Sequence, residues 1–117
     1  MSEKNLRQII KDLINEAQVE LDGEQASNLL VKLSSYYSTL ATAMVEFEKA
    51  YLMKQIEFMQ NDEKTSVAKA ELYAKVTEEY TIYNEAKMLL KALEEVIRAL
   101  KYRIQVLRDE RETSRTL

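Results

Sequence analysis

The 117 residues include one glycine and no proline, cysteine or histidine, with 17 basic side chains against 20 acidic ones. So little turn chemistry leaves β-hairpins nothing to build on, and an all-α fold is expected. Without cysteine or histidine there is no disulfide and no zinc ligand of the usual kind, and the commonest general base is missing.

The apolar share of 46% is that of a folded chain, and the length suits a single domain over residues 1–117. The opening MSEKNLRQII has no apolar core and no small-residue cleavage site, so no secretory signal is expected there. No apolar run approaches the ~20 residues of a membrane span. A cytoplasmic protein with no membrane partner is the resulting expectation.

In chain order, the first segment predicts a short amphipathic helix over about 3–21, with Leu6, Ile10, Leu13, Ile14, Ala17 and Leu21 on one face. Asp22-Gly23 is the clearest turn signal and is expected to end it. A second helix is expected over about 24–60. There Leu30, Tyr37, Met44, Tyr51 and Phe58 recur seven apart, beside Leu33, Leu40 and Phe47. Leu29, Tyr36, Ala43 and Ala50 widen that stripe.

Six polar residues, Asn61 to Ser66, then break the pattern, with Thr65 or Ser66 placed to cap the next helix. That third helix is expected to run uninterrupted over about 66–111. Its rows are Val76, Tyr83, Leu90, Ile97 and Ile104, and Leu72, Ala86, Leu93, Leu100 and Leu107. Such a helix measures roughly 65–70 Å at ~1.5 Å per residue, against a radius of gyration of about 13 Å for a compact domain of this size. The fold expected is therefore an elongated antiparallel helical hairpin of two long helices with a short N-terminal helix, packed as in a coiled coil. The tail, 112–117, is polar and expected to fray.

Ile82, Leu89 and Val96 flank the first row of the third helix, as Tyr36 flanks that of the second. Stripes this wide exceed the seam of a two-stranded coiled coil. These four residues are accordingly the candidate self-association surface of a homo-oligomer; a monomeric three-helix bundle is the alternative. Tyr36, Tyr37, Tyr51, Tyr80 and Tyr83 lie on or beside the apolar rows, where core packing is the expected role.

The acidic pairs Glu78-Glu79 and Glu94-Glu95 are adjacent on a helix and diverge by about 100°. Glu71 with Lys75 and Glu94 with Arg98 have the order of exposed i,i+4 ion pairs instead. No catalytic residue, cofactor or metal is expected, and the chain does not read as an enzyme.

Charge is uneven along the chain. Residues 1–63 carry six basic and eleven acidic side chains, whereas 64–117 carry eleven and nine. On the third helix Lys87, Lys91, Glu94, Arg98, Lys101, Gln105, Arg108, Glu112 and Arg115 advance by threes and fours and share one face. Six of these nine are basic, so the face suits a phosphate backbone. Beside it, Tyr102 between Lys101 and Arg103 offers a stacking surface. A solvated face that only keeps the helix soluble is the plainer account of the same residues.

Three stretches resemble the small recombination-mediator family of T4-type bacteriophages (UvsY-like), which loads a recombinase onto single-stranded DNA. Glu24 to Ser35 (EQASNLLVKLSS) is similar to the family's early helix, and Leu52 to Met59 (LMKQIEFM) fits its pattern of aliphatic, acidic and aromatic positions. Ser66 to Glu110 is similar in length and spacing to its long second helix, with Ser66, Lys69, Ala70 and Glu71 at the opening. The family's basic pair falls at Met53 and Gln55, with Lys54 between them as the candidate at that place.

The resemblance, over about residues 24–110, implies a non-enzymatic phage protein of the infected host's cytoplasm. Such a protein binds single-stranded DNA weakly as a homo-oligomer and assists a recombinase, a single-strand-binding protein or an annealing protein. Candidate DNA-binding residues are Lys54, Lys87, Lys91, Arg98, Lys101, Arg103, Arg108 and Arg115. The alternatives are a small helical phage protein that inhibits a host defence factor by binding protein or nucleotide, and a helical assembly adaptor.

Overall fold

A computed structural model describes residues 3–62 and 64–116, with side chains from 5 to 62 and from 64 to 113. The fold is all-α, and no strand occurs among the described residues. Four helices follow one another: α1 (Glu3–Glu16), α2 (Gly23–Asn61), α3 (Val67–Ala74) and α4 (Glu78–Thr116). Tertiary contacts divide the chain into two compact units, Met1–Thr39 with Leu89–Leu117, and Leu40–Met88.

Helix α1 buries Leu6, Ile10 and Leu13, which fall on one face at spacings of four and three. It stops at Glu16 and does not reach Leu21. The amides of Gln18 and Val19 bond the carbonyls of Asn15 and Glu16, three residues back, so the last turn tightens and the chain then leaves the helix.

The Asp22-Gly23 signal marks a beginning rather than an end. Asp22 Oδ1 accepts from the Gln25 amide at 2.7 Å, and Gln25 Oε1 accepts from the Asp22 amide at 3.1 Å. This reciprocal capping box sets Gly23 as the first residue of α2. Gly23 has no positive φ, and a Cβ there would meet nothing within 4 Å. Gly23→Ala is expected to raise the unfolding free energy by about 0.4–1 kcal/mol, read from urea denaturation, because it restricts the unfolded chain without strain in the folded one.

In the first unit α1 packs with the early part of α2 and the later part of α4. Its core comprises Leu6, Ile10, Leu13, Ala26, Leu29, Leu33, Leu89, Leu93 and Leu100. The two long helices run antiparallel here, since Tyr37 lies beside Glu94 while Gly23 and Glu24 lie beside Arg108 and Arg111.

The second unit contains the later part of α2, α3 and the start of α4. Its buried side chains are Leu40, Phe47, Ala70, Ala74 and Ala86. Aromatic rings fill much of the remaining contact. Tyr51 stacks edge-on to Tyr80 with ring centroids 5.3 Å apart and lies 5.0 Å from Tyr83, while Phe58 meets Tyr73 at 5.5 Å.

The expected third helix is not continuous. Ser66, in extended backbone, caps α3 by accepting from the Lys69 amide at 3.2 Å. Residues 75–77 then form a turn, and Thr77 starts α4. Its hydroxyl donates to the Ala74 carbonyl and accepts from the Tyr80 amide at 3.3 Å. Glu78 and Glu79 add negative charge at the positive end of the new helix. The break turns α3 so that Ala70 and Ala74 face inward. Leu72 and Val76, both on the expected apolar rows, are left 65% and 84% exposed. At the other end, α4 runs through the expected tail to Thr116. No helix among the described residues is long and apolar enough to cross a membrane.

Candidate nucleic-acid interface

The expected stripe is present on α4, and the first unit holds most of it. Lys91, Glu94, Arg98, Lys101, Gln105, Arg108 and Glu112 are all exposed along one side of that unit. Lys87 is exposed in the second unit. Arg115 lies in α4, but its side chain falls outside the described residues.

Helix α2 contributes what the stripe lacked. Ser34, Tyr37 and Ser38, at spacings of three and four on α2, face Glu94, Ile97, Arg98 and Lys101 across an open groove of ≈ 480 Å³. The Tyr37 hydroxyl donates to Glu94 Oε1 at 2.7 Å. That hydrogen bond, followed by desolvation and the carboxylate's charge, raises the Tyr37 pKa above its usual 10.0, so the phenol remains a donor through neutral pH. Glu94 was expected to hold Arg98 one turn along, but no ion pair to Arg98 forms among the described residues. Arg98 and Glu94 both line the groove.

A second groove of ≈ 400 Å³ lies further along the same pair of helices. Gly23, Glu24 and Ser27 line one side, and Ile104, Leu107, Arg108 and Arg111 the other. The two basic pairs, Arg98 with Lys101 and Arg108 with Arg111, are ten residues apart, or ~15 Å along the helix. Arg111 adds to the stripe a cation that strict periodicity had passed over.

No protein-family model, curated protein or solved structure matches this chain.

Two candidate cations are committed elsewhere. Arg103 turns away from the stripe and donates to the backbone carbonyls of Leu21 at 2.8 Å and Val19 at 3.4 Å. It holds the connector between α1 and α2, which is a structural task. Lys54, in the second unit, is half-buried between Glu57 at 3.3 Å and Glu79 at 3.9 Å. Both carboxylates compete with any phosphate for its ammonium group.

The four candidate self-association residues lie in different surroundings. Leu89 is buried in the first unit's own core. Val96 lines a small cavity of ≈ 170 Å³ with Ala17, Gln18, Ala99, Leu100 and Arg103, so the chain leaving α1 covers that flank. Tyr36 in the first unit and Ile82 in the second are half-buried.

Tyr102 keeps 74% of its surface exposed beside Lys101, as stacking would need. In the second unit, Tyr51 has its pKa raised, chiefly by burial and then by the neighbouring Tyr83 and Glu48. The Tyr51, Tyr80 and Tyr83 cluster is thus a packing element. Among the described residues no three Asp or Glu side chains gather as a metal site.

Proposed function

We propose that this protein is a non-enzymatic phage accessory factor that binds single-stranded DNA and assists a recombinase or annealing protein in the host cytoplasm. The observation that carries this reading is the groove in which Arg98 and Lys101 face Ser34, Tyr37 and Ser38, where the Glu94 carboxylate accepts from the Tyr37 hydroxyl. Arg108 with Arg111 lines a second groove further along. Cations contact phosphates, hydroxyls donate to phosphate oxygens, and exposed Tyr102 offers a face to an unstacked base.

A single strand suits the exposed Tyr102 beside Lys101, because an unpaired base offers its face to stacking. The resemblance of residues 24–35, 52–59 and 66–110 to phage recombination mediators supports the same class of ligand and partner.

Fluorescence anisotropy with a labelled single-stranded oligonucleotide, at about 50 and 200 mM salt, tests the proposal. Three or four phosphate contacts give a slope of log K against log salt of about −2 to −3. Absence of binding at the lower salt overturns the reading.

A further inference from the structure

The groove beside Tyr37 contains a group that phosphate contact does not use. Glu94 is the acid among its charged lining residues, set against Arg98 and Lys101. A carboxylate at close range repels a phosphate, so a surface suited to phosphate alone has no need of it. This carboxylate is nonetheless held in place. The Tyr37 hydroxyl, on the opposite wall, donates to its Oε1 at 2.7 Å.

A carboxylate accepts at about four positions, and the phenol occupies one of them. No lysine or arginine pairs with Glu94 among the described residues. Glu94, itself exposed, therefore offers acceptor capacity to a molecule in the groove. Half-buried Ile97 lies beside it and adds an apolar surface. Arg98 and Lys101 follow at four and seven residues along α4, or ~6 and ~10.5 Å of helix rise. Acceptor, apolar wall and cations complement the three parts of a nucleotide, which are a polar edge, a flat face and a phosphate.

We infer that Glu94 is the base-reading residue of this groove, and that it favours bases bearing an exocyclic amino group over thymine. Arg98 and Lys101 hold phosphates of one strand, while a base lies against Ile97 with its edge toward the carboxylate. Cytosine presents its N4 amino group, a donor that carboxylates accept. Thymine presents the O4 acceptor at that place, which repels the carboxylate, and its N3–H lies between two carbonyl oxygens. Tyr37 is a positioning residue, because it fixes the carboxylate and touches the base edge only through it. The inference rests on the proposed binding of single-stranded DNA. It adds a base preference, which phosphate contacts do not confer.

Fluorescence anisotropy with labelled oligo(dC) and oligo(dT) of equal length tests it, at mildly alkaline pH so that oligo(dC) stays single-stranded. The full chain is expected to bind oligo(dC) about fivefold more tightly than oligo(dT) at about 50 mM salt. Glu94→Gln presents both a donor and an acceptor, so its two affinities are expected to agree within about twofold. Tyr37→Phe keeps the charge but removes its anchor, and is expected to lower the ratio as well. Helical circular dichroism should be unchanged in Glu94→Gln, since the side chain is exposed and bonds only Tyr37 among the described residues. Equal affinity of the wild type for the two strands overturns the inference and leaves the proposed function standing. A Glu94→Gln variant that binds both strands more tightly at an unchanged ratio also overturns it, because Glu94 then acts as a charge alone. Absence of binding to either strand overturns the inference together with the proposed function.

Discussion

Leu93→Ala is expected to lower the unfolding free energy by about 3–5 kcal/mol, measured by urea denaturation followed at the helical circular dichroism band. Leu93 has no exposed surface and belongs with Ile10, Leu33 and Leu40 to the largest fully buried side chains. Its removal sacrifices the transfer energy of three carbon atoms and opens a cavity that neighbouring helices fill only partly. Small domains have about 5–15 kcal/mol to lose, so one residue accounts for a large share of the total.

Leu72→Ala is the matched comparison. Periodicity places Leu72 on the same row as Leu93, but the turn at 75–77 leaves it 65% exposed. Its truncation is expected to change stability by no more than about 0.5 kcal/mol. Equal costs at the two sites would mean that the helix is unbroken at Thr77.

The second large effect concerns binding. Arg98→Glu with Lys101→Glu removes two cations from the groove beside Tyr37 and puts two anions in their place. Affinity for a single-stranded oligonucleotide at about 50 mM salt is expected to fall at least tenfold, and the salt slope to shrink by about 1.4 as two phosphate contacts vanish. Arg103→Ala separates this effect from general damage. It removes the hydrogen bonds to Val19 and Leu21, and is expected to lower stability by about 1–2 kcal/mol while leaving affinity within twofold. Equal losses of affinity in the two variants would refute the assignment of the groove.

Much of this fold was legible in the sequence, because one glycine and no proline leave helices as the only economical structure and spacings of three and four mark their buried sides. The turn at 75–77 was not. A threonine interrupts a helix only if its hydroxyl finds both the Ala74 carbonyl and the Tyr80 amide, and apolar periodicity carries no trace of such bonds. Asp22-Gly23 was misread for a related reason. The glycine drew attention to a left-handed helix end, while the spacing of Asp22 and Gln25 spelled a capping box at a helix start.

The basic stripe was visible as a row of letters, since it depends on one helix alone. The partners of its residues were not, because Tyr37 and Glu94 are 57 residues apart. Arg103 beside the connector needed the tertiary path as well.

Every side chain buried as a whole among the described residues is aliphatic or aromatic hydrocarbon. Such an interior prescribes volume and face and asks little matching of donor to acceptor. Leucine, isoleucine, methionine and valine can replace one another there at modest cost, provided that neighbours compensate. The architecture can therefore outlast most of its spelling. Descendants of this chain are free to diverge in many core letters, while the hydroxyl and carboxylate caps at Asp22, Ser66 and Thr77 keep the places where α2, α3 and α4 begin.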